Sequence, residues 1–200
     1  MDQQHTGPSS RERTFSWSDP RAAAAAGATL SGMGYLQAMQ EGRLPRPPAL
    51  ALLDAELGVI EQGRVTMRLV PQEFHFNPLA SVHGGITATL LDSVMGCAVH
   101  STLLKGRGYT TLEIKVNYLR AITDATGEVT AEGRIVHSGR QVAVAEGTLV
   151  DARGRIYATA STTCLLFDRP DGGAPASGLV MNVAGEAMAE STGVNLKDGG

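Results

Sequence analysis

The sequence predicts an α+β domain in which one antiparallel sheet wraps one long central helix. Three observations predict it. The run from His83 to about Leu104 is apolar or small on every side, with one carboxylate, Asp92, in its middle. A helix that is apolar all round belongs in a core. One strand-like segment precedes this run and four follow it in succession. The joins between the later segments are turn chemistry: Asp124-Ala125-Thr126-Gly127, Ser138-Gly139-Arg140 and Asp151-Ala152-Arg153-Gly154.

Taken in order, Met1 to about Ala28 is polar and then alanine-rich, with no strong period, so it is expected to be loosely packed. Between Thr29 and Glu41, Leu30, Met33, Leu36 and Met39 recur at helical spacing, and that stripe needs a surface to cover. Gly42 ends this helix, and Pro45, Pro47 and Pro48 read as an extended linker. Strand is expected from Leu50, with Val65, Met67 and Leu69 alternating with Arg64, Thr66 and Arg68. Pro71 and Pro78 bracket a loop that contains His75 and Asn77.

After the apolar helix, Gly106 and Gly108 turn the chain. Leu112, Ile114, Val116 and Tyr118 then alternate with polar neighbours, as do Val129, Ala131, Gly133 and Ile135. Val142, Val144 and Thr148 through Val150 form a third run, and Ile156 through Phe167 a fourth. The expected organisation is an extension over 1–49, one domain over 50–168, and a flexible tail over 169–200 rich in small and polar residues. A sheet of this kind has edges, and an exposed edge invites pairing with a second copy.

Composition sets bounds on function. Apolar residues make up 42%, enough for a core, and the net charge of -3 argues against non-specific nucleic-acid binding. No apolar run approaches the ~18 residues that span a bilayer. Met1 to Ser18 has no signal-peptide core, so the protein is expected to be soluble and cytoplasmic. Cys97 and Cys164 read as buried free thiols. His5, His75, His100 and His137 share no metal-like spacing, so no metal is expected. There is no GxSxG elbow and no phosphate loop, and Gly106 to Thr111 fails the dinucleotide pattern at its last glycine.

Asp92 stands out because aspartate is almost never fully buried unless something pairs with it or uses it. It is expected to be hydrogen-bonded, capping or chemically active. His83-Gly84-Gly85 puts backbone N–H groups at the start of the same helix, where the dipole favours negative charge.

Asn77-Pro78-Leu79-Ala80-Ser81-Val82-His83-Gly84-Gly85, followed nine residues after the histidine by Asp92, resembles the signature of hotdog-fold acyl-CoA thioesterases. The match is closest to the phenylacetate-degradation (PaaI-type) branch, and Thr110 to Arg120 resembles that branch's second strand. The resemblance covers about Leu50 to Phe167 and implies the hotdog fold and hydrolysis of an acyl-CoA to coenzyme A and a free acid. It casts Asp92 as the group that activates water or attacks the acyl carbon. The Gly84 N–H is the implied oxyanion donor, with Gly85 allowing close approach. Asn77 would stand near the carbonyl or the water, His83 would orient the loop, and Thr111, with Thr110 one residue away, would orient the water. The Ser138-Gly139-Arg140 turn would lie near the nucleotide of coenzyme A, with Lys105, Arg107 and Arg120 as further phosphate-binding cations.

By the same resemblance the site is built across a dimer interface, the HisGlyGly side from one subunit and the acid from the other. A homodimer or homotetramer is implied, with no cofactor beyond the coenzyme A of the substrate. Two other readings stay open: a hotdog hydratase or dehydratase, which needs a histidine paired with an acid, and a non-catalytic acyl-CoA-binding regulatory module. Aryl-acetyl, benzoyl and medium-chain acyl groups all remain candidates.

Overall fold

The structure, a computed structural model, describes residues 10–169. The 169–200 tail, Arg169 excepted, and His5 lie outside the described residues. Six antiparallel strands form one sheet: β1 (Glu56–Glu61), β2 (Arg64–Leu69), β3 (Arg107–Tyr118), β4 (Val129–Ser138), β5 (Val142–Asp151) and β6 (Ile156–Asp168). Their order across the sheet is β1-β2-β4-β5-β6-β3, so β1 and β3 are the edges. Helices α1 (Pro20–Gly27), α2 (Gly32–Gln40) and α3 (Pro48–Leu53) precede the sheet, and α4 (Gly84–His100) lies across it. No described helix is long and apolar enough to cross a membrane.

The sheet covers one face of α4. Leu90, Leu91, Val94, Met95 and Val99 are buried at 0–1% exposure, packed with Met67, Ala131, Ala145 and Leu149. The opposite face, with Thr89, Asp92 and Ser93, is not sealed by the sheet of its own chain. The expected architecture of one antiparallel sheet wrapped on one long helix is thus present, with one face of the helix left uncovered by the sheet, and Asp92 sits half-buried on that open side. The helix also stops at His100, earlier than Leu104. Beyond it the Ser101 and Thr102 hydroxyls donate to the carbonyls of Ala98 and Val99.

Three further readings are corrected. The alanine-rich stretch is a helix, because Pro20 starts it, the Asp19 carboxylate accepts the Arg21 N–H, and alanine has the highest helix propensity. Pro48 does not continue a linker but occupies the first turn of α3, where its missing N–H costs nothing, so Leu50 to Leu53 are helical rather than strand. The single strand expected before the long helix is two, Glu56–Glu61 pairing with β2 through a turn at Gly63. In β5 the buried residues are Ala143, Ala145, Gly147, Leu149 and Asp151, and the larger Val142 and Val144 are turned to the other face.

In β3 a bulge between Thr111 and Glu113 shifts the alternation by one residue. Tyr109 and Thr111 face α4 before it, and Ile114 and Val116 pack on the core after it. Leu112 and Tyr118, in the same alternation as Ile114 and Val116, are 54% and 55% exposed. The stripe of α2 does find a surface: Leu36, Ala38 and Met39 form a second core cluster with Leu44 and Val65.

Candidate active site

His83 caps α4, and its Nδ1 accepts the Gly85 N–H at 2.9 Å. The imidazole is therefore a loop-orienting group, and the Gly85 donor is occupied. Gly84 is the first helical residue, one whose N–H has no intrahelical acceptor. Among the described residues no group accepts it. The Gly84 carbonyl takes the Tyr118 hydroxyl at 3.0 Å, which ties the helix start to the end of β3.

Asn77 organises the loop ahead of the helix. Its Oδ1 accepts the Leu79 N–H at 2.8 Å and the Ser81 N–H at 3.3 Å, and its Nδ2 donates to Ser81 Oγ at 3.1 Å. These bonds turn the chain through Ala80, which has a positive φ of 55°. His75, 1% exposed, locks the same loop from below, its Nε2–H donating to the Leu53 carbonyl at 3.0 Å and its Nδ1 accepting the Gln72 N–H at 3.1 Å. Burial lowers the His75 pKa and favours the neutral ring.

Asn77, Gly84, Tyr118, Arg120 and Tyr157 line one groove of about 350 Å³. Arg120 brings a cation to it while its Nη1 donates to the Ile156 carbonyl. Asp92 and Thr111 line a second cavity, also about 350 Å³, together with Cys97, His100 and Tyr109. The Thr111 hydroxyl donates to Asp92 Oδ1 at 3.1 Å, while Thr110 is exposed, so Thr111 is the threonine that meets the acid. The neighbouring hydroxyls are spent on the helix backbone, Thr89 on the Gly85 carbonyl and Ser93 on the Thr89 carbonyl. No described group donates to Asp92 Oδ2, which leaves that oxygen open to the cavity.

Burial, with the Asp92 charge second, pushes the Cys97 thiol up to about 12, so it is no nucleophile at neutral pH. Burial first, then Arg169, lowers His100 to about 4 and keeps its ring neutral.

One chain thus brings Asp92 to Thr111, and Asn77 to Gly84 and Arg120, but it does not bring the two sets together. It also separates the Ser138-Gly139-Arg140 turn from Gly84. That turn is held at the start of β3, where Arg107 Nη2 donates to the Arg140 carbonyl at 2.6 Å and Nη1 pairs with Asp168 at 2.9 Å. Gly84 is held at the other end of β3, roughly 35 Å along the strand at ~3.3 Å per residue. Lys105 is exposed in the turn before Arg107. Sequence reasoning missed Tyr118, which it read only as part of the strand's alternation, and Tyr35 and Tyr109 in the cavity with the acid; no spacing marked any of the three.

Comparison with known proteins agrees with this architecture. Residues 79–158 match the thioesterase superfamily. An esterase-named protein of Saccharolobus solfataricus is 30% identical over 108 residues, which span 54% of this chain and 75% of the relative. An esterase-named protein of Halobacterium salinarum is 42% identical over 71 residues, 34% of this chain, and the match spans 45% of that relative, less than half its length. Among solved structures, a thioesterase-named, phenylacetic acid degradation-related protein of Ralstonia eutropha superposes with a TM-score of 0.60 at 28% identity, covering 66% of this chain and 98% of the other. A Streptococcus mutans protein solved with acetyl CoA gives a TM-score of 0.53 at 27% identity, covering 57% and 90%.

Proposed function

The chain belongs to the thioesterase superfamily, and from that premise we propose that it hydrolyses acyl-CoA thioesters to coenzyme A and a free acid at a site shared by two copies. The observation that carries the reading is the division of the machinery along α4. Gly84 and Asp92 are eight residues apart on one helix, which is about 12 Å of rise and about 80° of rotation. An oxyanion donor must lie ~3 Å from the carbonyl oxygen, and a base must reach the attacking water at a similar distance. One helix cannot supply both to one thioester. A second copy related by a two-fold axis can, placing Gly84 of one opposite Asp92 of the other. The edge position of β3, which carries Thr111, supports this pairing, because its outer side meets no strand of its own chain.

In the proposed reaction the Gly84 N–H and the positive end of α4 hold the negative charge that builds on the carbonyl oxygen. Asp92, steadied through Oδ1 by Thr111, works through Oδ2. It either takes a proton from water, whose oxygen bonds to the acyl carbon, or bonds to that carbon itself and is freed by water in a second step. In both routes the C–S bond breaks, coenzyme A leaves as the thiol, and the acyl group leaves as the acid. Arg120 is the cation in the Gly84 groove and is assigned to coenzyme A phosphate. The scheme calls for no metal or organic cofactor. The phenylacetate-degradation branch is supported by the Asn77, Gly84 and Asp92 order and by the Ralstonia neighbour, and coenzyme A chemistry by the acetyl CoA in the Streptococcus neighbour.

The test is a panel of acyl-CoAs with a thiol-reactive chromogen reporting released coenzyme A. Asp92→Asn keeps shape and removes charge, so kcat should fall by at least ~10²-fold while circular dichroism is unchanged. A folded Asp92→Asn protein with full activity removes Asp92 from the mechanism.

A further inference from the structure

The cavity at the acid is not closed by the sheet. Its second wall is the N-terminal extension. Asp92, Ser93 and Thr111 line one side, and Tyr35, Leu36 and Met39 of α2 line the other. This wall is built into the fold. The Gly32 N–H donates to the Leu103 carbonyl at 2.9 Å, and a Cβ at Gly32 would stand 1.7 Å from the His100 carbonyl oxygen, an approach only glycine permits. Leu36 and Ala38 are 0% exposed and pack on Val65, with Cys97 of α4 against the same cluster.

We infer that α2 is the specificity wall of the acyl site: the acyl group runs from Asp92 into the space between α2 and α4, where Met39 and Tyr35 set the length and breadth admitted. The inference rests on reading Asp92 as the acid of thioester hydrolysis. The chemistry of the lining fits an apolar acyl group. Tyr35, Leu36, Met39, Leu50 and Tyr109 present rings and aliphatic chains. Burial keeps the Cys97 thiol and the His100 ring neutral. Asp92 at one side and Arg169 are the charges among the lining residues. A volume of about 350 Å³ is at the low end of ligand pockets, which run ~300–1,000 Å³. The wall therefore selects a short or medium chain or a single ring.

The experiment compares the full-length wild type with Met39→Ala, Met39→Phe and Tyr35→Ala on straight-chain acyl-CoAs of increasing length and on benzoyl-CoA. Met39→Ala and Tyr35→Ala should raise kcat/KM for longer or broader groups relative to shorter ones by at least ~10-fold, the lower end of what one methylene is worth in a hydrophobic pocket. Met39→Phe should shift preference the other way. The same relative kcat/KM across the panel in the folded variants overturns the wall. Release of thiol from no substrate by wild type counts against the thioesterase reading instead. Preference is then read from calorimetric binding of the same panel, where a shift in Met39→Phe upholds the wall and an unchanged order overturns it.

Discussion

His83 caps α4 with its Nδ1 and so takes the Gly85 N–H, which leaves the Gly84 N–H as the donor the helix presents to its groove. The local backbone offers a clean way to remove that one atom. Gly84 is the first helical residue, where proline is tolerated, and His83 before it has φ -59° and ψ 135°, a conformation that suits a following proline. Gly84→Pro should lower kcat by ~10²–10³-fold, the worth of one oxyanion donor. Gly84→Ala keeps the N–H and is the control, because any Cβ there meets the Tyr118 ring at 3.2 Å. Both proteins should melt near the wild type, and equal kcat in the two would show that the N–H has no part in catalysis. At this scale the sequence was informative where chemistry conflicted with surroundings. Asp92 was legible because a carboxylate interrupts an apolar helix. Asn77 was legible as a polar group near the site, yet its side chain is also the loop's organiser. Tyr118 was not legible, since a tyrosine in an alternating strand looks like core.

Alternation gave the right strands after α4 but not always the right face. In β5 the residues toward the helix are the small ones, Ala143, Ala145 and Gly147, because α4 lies too close for larger side chains. A Cβ on Gly133 of β4 would stand 2.4 Å from the Val94 carbonyl carbon, and one on Gly147 would stand 3.1 Å from Leu91 and Met95. In β3 the bulge at Leu112 changes the phase in mid-strand, and it is this change that lets Thr111 reach Asp92 while Ile114 and Val116 still pack on the core. No residue type in Thr111-Leu112-Glu113 announces a bulge. Helices α1 and α3 escaped notice for a different reason: one lacks an apolar period and the other begins inside a run of prolines. The close approach of α4 has a measurable cost. Gly133→Ala presses a methyl group against helix backbone, which cannot swing aside as a side chain would. It should destabilise the fold by about 1–3 kcal/mol, the usual cost of overpacking, seen as a lower urea midpoint at unchanged m-value. A wild-type midpoint would contradict so tight a contact.

For the whole molecule, the order of elements was enough to predict one sheet on one long helix, because β4, β5 and β6 follow one another through short turns and pair as neighbours, while β3, joined to β4 by the longer segment 119–128, pairs with β6 at the edge. The segment before α4, expected as one strand, is the hairpin of β1 and β2, and the sheet that wraps α4 leaves one of its faces uncovered. The open side of α4 carries Asp92 and is roofed by α2, and Gly84 lies in a separate groove. The separation of the two grooves could not be read from the sequence, since it depends on helix rise and on which strand ends meet which helix end. It is also what the account turns on. The most direct test mixes Gly84→Pro subunits with Asp92→Asn subunits, each inactive alone, after unfolding and joint refolding. A hybrid dimer contains one doubly altered site and one intact site, so random pairing should restore about a quarter of wild-type activity if the site is shared across a two-fold. No recovery in a mixture shown by mass spectrometry to contain hybrid dimers would place Gly84 and Asp92 in the same chain's site and contradict the shared-site account.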